Sequence, residues 1–294
     1  MTAGAPNTAG APNTAGPLNT ATGFAYPRCV LLVIDVGNTQ TVIGAYPSET
    51  SGATNNSELA DHWRIATNAE RTPDELAMLM LQFFSTRNEK FDGAHINGVA
   101  ICSGVPRATA HLRRMCERYL NITAVVLEPG IKTGMPILYD NPKEVGPDRI
   151  ANAVGAMDRY GAPAIVVDFG TATTFDVISP KGQYLGGAIV PGVEISLEAL
   201  FQRAAALRRV ELVEPRNVIG KSTAESLQSG ALYGFSSMID GMCERIEAEI
   251  GPATAISTGG LGAVIAPYCR KVTHNDPWVT LHGLRLIYEK NLAS

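Results

Sequence analysis

The chemistry in this chain begins with aspartates that close apolar runs. Leu31-Leu32-Val33-Ile34 ends on Asp35, and Val36-Gly37-Asn38-Thr39-Gln40-Thr41-Val42 follows. A short run rich in Val, Ile and Leu predicts a buried strand with the carboxylate at its end. Gly37-Asn38 predicts a hairpin turn, with Thr41–Tyr46 returning as a second strand. Gly37 has no Cβ, so its N–H can approach a phosphate closely. Asn38, Thr39 and Thr41 add polar contacts, and Asp35 can hold a magnesium ion directly or through water. The same letters also make an ordinary hairpin.

A second copy gives the pattern its weight. Ala164-Ile165-Val166-Val167-Asp168-Phe169-Gly170-Thr171-Ala172-Thr173-Thr174 repeats the apolar run, the Asp, the single apolar residue, the Gly and the hydroxyl-rich turn. So long an interval between copies points to a duplicated domain rather than to a solenoid, whose repeats are far shorter. Two strand-end aspartates, each beside a polar turn, suit a nucleotide held between two halves. Phosphoryl transfer needs such positioning and charge neutralisation more than covalent chemistry. A third aspartate, Asp148, stands in Gly146-Pro147-Asp148-Arg149, the opening of a helix. An acid there serves either as simple end stabilisation or as a proton acceptor. Arg149 beside it reads as an anion contact or an ion pair.

Strands and helices alternate around these sites. Strands are expected at 59–66, 96–103, 124–127 and 255–260, with a strand and turn at 186–192. Thr72-Pro73-Asp74-Glu75 is a helix start with a capping box, and Leu76, Leu79, Met80 and Phe83 share one face behind it. Further helices are expected at 106–119, from 147 to about 160, near 194–206, over 223–249 with breaks at Gly230, Gly234 and Gly241, and at 280–291. The 48–58 stretch and 131–145 read as loops. The alternation predicts an α/β fold. Tyr139 reads as a partly buried aromatic, Thr223 as a helix N-terminal residue, and Gly259-Gly260 as a strand-to-helix turn.

The chain has 294 residues, 45% of them hydrophobic, and a net charge of −4, which leaves no basic footprint for nucleic acid. No apolar run approaches the ~20 residues of a membrane span. Five cysteines without a CxxC pair read as reduced thiols in a cytoplasmic protein. Residues 2–28 repeat Thr-Ala-Gly-Ala-Pro-Asn without charge before Arg28 or an apolar h-region. They read as a disordered tail, not a signal peptide. The five histidines show no metal-ligand spacing.

Taken in order, Asp35-Val36-Gly37-Asn38-Thr39, Gly146-Pro147-Asp148-Arg149, Asp168-Phe169-Gly170-Thr171-Ala172-Thr173, Gly186-Gly187 with Pro191-Gly192, and Ser257-Thr258-Gly259-Gly260 resemble type III pantothenate kinase, the bacterial enzyme that opens coenzyme A synthesis. The resemblance covers nearly everything after residue 29. It implies two duplicated actin-like, ribonuclease H-like halves with mixed sheets flanked by helices, at 29–145 and 146–294, behind the 1–28 tail. It implies a homodimer and phosphoryl transfer from ATP to the pantothenate hydroxyl, with magnesium and either potassium or ammonium. By this resemblance Asp35, Val36, Gly37, Asn38, Thr39, Gln40, Thr41 and Val42 hold the ATP phosphates, and Thr171 is a further ATP contact. Tyr139, Gly146, Pro147, Asp148, Arg149 and Thr223 meet pantothenate. Asp148 is the base, Asp168 the monovalent-cation ligand, and Asp35 the magnesium site. Leu207-Arg208 departs from the Leu-Pro common in the family. Two rivals share the fold: a kinase for another small hydroxyl acceptor, and a non-catalytic accessory or regulatory protein. The presence of Asp35, Asp148 and Asp168 favours an enzyme.

Overall fold

The computed structural model describes residues 29–47, 58–85, 96–204, 207 and 209–292. The expected tail, all but the last residue of the 48–58 loop, and Arg208 lie outside the described residues.

β1 (Val30–Val36), β2 (Gln40–Pro47) and β3 (Asp61–Ala66) form an antiparallel meander. α1 (Pro73–Ser85) precedes β4 (Ile96–Ser103). α2 (Pro106–Met115) runs through a π-helical turn at Cys116–Leu120 toward the short β5 (Val125–Val126). α3 (Pro147–Tyr160) opens the second half. There β6 (Ala164–Phe169), β7 (Ala172–Ile178) and β8 (Tyr184–Pro191) repeat the meander. α4 (Val193–Arg203), α5 (Thr223–Ser229) and α6 (Phe235–Ile250) come before β9 (Thr254–Gly259). The one-turn α7 (Gly262–Ile265), β10 (Val272–Asn275) and α8 (Val279–Leu292) complete the described chain.

The two sheets have one topology. Their strand orders are β3-β2-β1-β4-β5 and β10-β9-β6-β7-β8, with β4 and β9 parallel to β1 and β6. This is the duplicated actin-like architecture. Period-2 alternation sorts each central strand. Val30, Leu32, Ile34 and Val36 face an outer core under α1 and α2, whereas Leu31 and Val33 face inward. Ile165, Val167 and Phe169 likewise face an outer core with residues of α6, and Ala164 and Val166 face inward. Each of these buried Val, Leu and Ile side chains contributes about 1.5–3 kcal/mol. The same alternation turns Asp35 and Asp168 to the inner side, toward the layer between the sheets.

α3 and α8 fill that layer. Their backbones meet at Gly155 and Gly283, where a β-carbon on either would strike Val279 O or Ala151 O. Ile150, Ala151, Val154, Leu281, Leu284 and Ile287 join inner residues of both sheets in one core. α8 therefore ties the chain's last described elements to β1 and β4 of the first half.

The capping box at Thr72 forms: Glu75 N–H donates to Thr72 Oγ1 at 3.3 Å, and Thr72 N–H donates to Glu75 Oε2 at 2.7 Å. The buried face of α1 is Leu76, Ala77, Met80 and Phe84, with Leu79 and Phe83 at its margin. The expected breaks in 223–249 differ from the structure. Gly230–Gly234 is a π-helical turn that continues α5 into α6, and Gly241 lies inside α6, because an isolated helical Gly costs only about 1 kcal/mol against Ala.

Candidate active site

Three elements deliver the aspartates. Asp35 is the penultimate residue of β1, Asp168 that of β6, and α3 carries Asp148 in its first turn. Gly146 is the N-cap and Pro147 the first helical residue, where a missing N–H costs nothing. A β-carbon on Gly146 would strike the Asp148 carboxylate. Asp148 is exposed, and its Oδ1 accepts the Arg149 N–H at 2.9 Å, which leaves Oδ2 available to another donor.

The carboxylates feel one another. Burial pushes Asp35 up to about 8, and the charges of Asp148 and Asp168 add to the rise, against a hydrogen bond from Cys102 and the charge of Arg64. Burial also raises Asp168, to about 6, with Asp148 adding and Asn152 opposing. Asn152, fully buried one helical turn beyond Asp148, donates from Nδ2 to Asp168 Oδ2 at 3.0 Å. Thr280 of α8 donates to Asn152 Oδ1 at 2.6 Å and so fixes that amide. Asp168 Oδ1 is left beside Gly170 and Gly259, where a β-carbon on Gly259 would collide with it.

The two turns meet at their tips. Thr39 Oγ1 and Thr171 Oγ1 lie 2.9 Å apart across the halves. Gly37 N–H bonds Gln40 O at 3.0 Å, and Gly170 N–H bonds Ala172 O at 3.1 Å. Gly37, Asn38, Thr39 and Gln40 are exposed on the first turn, while Val36, Thr41 and Val42 stand in the ladder behind it. Thr67 donates to Gly37 O at 2.7 Å, so Thr41, 2.8 Å from it, must be the donor to Thr67. The Thr41 hydroxyl braces the turn from behind.

On the other side of Asp148, Arg149 is buried in an ion pair with Asp176, at 2.6 Å from Nε, and Nη2 donates to Phe175 O at 3.2 Å. Tyr184 donates to the same carboxylate at 3.0 Å. Burial pushes Asp176 upward against both partners. Tyr139 tilts against Tyr184 at 6.5 Å between ring centroids, and Gly186, at φ +103°, leaves room for its ring. Tyr139 and Arg149 thus share one wall beside Asp148. Thr223 stands apart, exposed in the first turn of α5, and the described hydrogen bonds of its segment run to 211–221.

Asn152, Thr280, Asp176, Thr67 and Arg64 were missed by sequence reasoning. Asn152 had a signal: it lies four residues after Asp148, on the same helical face. Thr280 had none.

The residues fit the implied ions. No group of three or more His, Cys, Asp or Glu among the described residues could hold a metal ion. Magnesium is commonly held by one or two carboxylates, with water and substrate phosphates completing its shell. A cation near Asp35 would offset the burial that chiefly raises it and the repulsion from Asp148 and Asp168 that adds to the rise. Asp168 offers one hard oxygen beside two glycines, whose missing side chains leave room next to it for a cation.

The sequence profile of the type III pantothenate kinase family matches residues 31–245. The type III pantothenate kinases of Streptomyces griseus and Myxococcus xanthus are 50% and 48% identical, each over 90% of this chain and 99% and 100% of their own. Among solved structures, a conserved putative Baf family transcriptional activator from Campylobacter jejuni aligns with a TM-score of 0.55 at 20% identity. It covers 90% of this chain and 100% of that one, a likeness of fold. Component A of (R)-2-hydroxyglutaryl-CoA dehydratase from Acidaminococcus fermentans aligns at 0.52 and 12%, over 90% of this chain and 100% of its own.

Proposed function

The chain belongs to the type III pantothenate kinase family, phosphotransferases that act on pantothenate for coenzyme A biosynthesis, and from that premise we propose how its residues divide the work. The Gly37–Gln40 turn, with Asp35 beneath it and Thr171 opposite, holds the ATP phosphates. Tyr139, Gly146, Pro147 and Arg149 frame pantothenate, and Asp148 is the general base. Asp148 accepts the proton of the pantothenate primary hydroxyl as that oxygen bonds to the γ-phosphorus. The bond from phosphorus to the β-phosphate oxygen breaks, and ADP leaves. A base in this role contributes about 10²–10⁴-fold.

Asp35 would hold magnesium, which neutralises phosphate charge when bound. Asp168 would hold potassium or ammonium, which offsets its own charge next to the phosphates. The observation that carries this reading is the convergence of Asp35, Asp148 and Asp168 beneath two touching hydroxyl turns. A homodimer completing the pantothenate pocket, with Thr223 among its contacts, belongs to the same proposal. The exposed Ile189, Ile195 and Leu200 on β8 and α4 support it. The same reading places the enzyme in the cytoplasm, in keeping with the unbridged Cys102, Cys116, Cys243 and Cys269.

The test is ADP release from ATP with and without pantothenate, the product identified by phosphorus NMR. Release only with pantothenate, yielding a phosphate monoester, is expected. Release with other small alcohols at equal rate would move the acceptor elsewhere.

A further inference from the structure

Arg64 is the basic residue that Asp35 feels, and neither the sequence motifs nor the mechanism above uses it. It lies on β3, the edge strand of the first sheet, in register with Val42, which is in register with Asp35. Directly paired residues share a sheet face, so all three point to the inner side. Two strand spacings, about 10 Å, separate the backbones of Asp35 and Arg64. Arg64 is exposed and forms no salt bridge with a carboxylate among the described residues. Its Nη1 donates to Gln40 Oε1 at 2.7 Å, in the first turn. The same Nη1 is 4.0 Å from where a β-carbon on Gly260 would sit, in the second half.

A guanidinium is thus held across the mouth of a site floored by three carboxylates. That floor repels a polyphosphate, and a cation above it would attract one. A planar guanidinium matches phosphate oxygens with paired donors, which a lysine ammonium cannot do. Gln40 fixes one edge and leaves the remaining donors of Arg64 for a ligand. Gly260, without a side chain, keeps the opposite wall open.

We propose that Arg64 is a nucleotide-binding residue, presented by β3 and oriented by Gln40, that grips the triphosphate of ATP between the Gly37–Gln40 turn and the Gly259–Gly260 turn. The proposal rests on the kinase reading above and adds a contact to it.

The test is calorimetric titration of the full chain with magnesium-ATP and with adenosine, for the wild type, Arg64→Ala and Arg64→Lys, alongside melting temperatures without ligand. Arg64→Ala is expected to weaken ATP binding about ten- to a hundredfold, the range for a lost hydrogen bond to a charged group. Adenosine binding and the ligand-free melting temperature should not change, and Arg64→Lys should recover part of the loss. ATP binding by Arg64→Ala within twofold of wild type would overturn the proposal. So would equal losses for ATP and adenosine, which would make Arg64 a brace for the turn. A wild type that binds no ATP would instead overturn the kinase reading, and this inference with it.

Discussion

The hairpins that carry Asp35 and Asp168 just before their turns share strand order, direction and inward orientation, yet their carboxylates keep different company. Asp168 receives an amide N–H from Asn152, itself fixed by Thr280. Asp35 has the thiol of Cys102, a weak donor, and faces the charges of both Asp148 and Asp168. Burial therefore leaves Asp168 near 6 but, with those two charges, carries Asp35 to about 8. The tips differ as well. Four residues separate the Val36–Thr41 pair, and three separate Phe169–Thr173. The two strand ends match in topology, and single neighbours give one a tether and expose the other to two carboxylate charges.

The largest expected effect lies outside the pair, at the group both aspartates face. Asp148→Asn keeps the shape of the α3 start but removes the proton acceptor. Its kcat should fall about 10²–10⁴-fold, with ATP affinity and melting temperature unchanged. Retention of more than about a tenth of wild-type kcat would remove Asp148 as base and make Asp35 the next candidate.

Removing the tether should make Asp168 resemble Asp35. Asn152→Ala leaves a buried carboxylate oxygen and the Thr280 hydroxyl without their partner. The cost should be about 1–3 kcal/mol of stability, read by denaturant unfolding, with a weaker response to potassium in the surviving activity. Full stability and an unchanged potassium response would show the tether to be idle.

The third expectation concerns pH in metal-free protein. An aspartate raised from its usual range holds its proton in the folded chain while the unfolded chain has lost it. The folded state then binds more protons between about pH 4 and pH 8, so stability falls as pH rises across that window. Asp35→Asn should remove that residue's share of the slope and leave the shares of Asp168 and Asp176. The variant should melt several degrees above wild type at pH 8 and alongside it near pH 4, on a scale of about 2–4 °C per kcal/mol. Asp168→Asn should gain less, over a window that closes near pH 6. Equal gains would erase the contrast between the turns.

The smallest effect belongs to the tips. Thr39→Val removes one exposed hydroxyl contact to Thr171 and should cost no more than about 1 kcal/mol of stability.

Much of this was legible in the residues. The apolar runs, the Gly37-Asn38 turn and its copy, and the Thr72 capping box are local patterns, and local patterns survive translation into structure. Which way the aspartates face was not legible, because both runs are apolar without a break and only the two cores on either side of β1 and β6 separate their faces. α7 and β10 were not legible: each is four residues, too short for periodicity to register. The tether was only half legible. Asn152 shares a helical face with Asp148, but Thr280 lies 128 positions away and arrives through the close crossing of Gly155 and Gly283. Arg64 was hidden for the same reason, since its cross-cleft approach to Gly260 joins two halves that no local pattern relates.

The most direct test of the central claim, that like strand ends serve unlike ions, is ATP affinity measured calorimetrically while magnesium and potassium are varied separately. Asp35→Asn should shift the magnesium dependence and leave the potassium dependence as in wild type, and Asp168→Asn should do the reverse. If both variants shift the response to the same ion, or neither shifts either, the division of labour between the two turns is wrong.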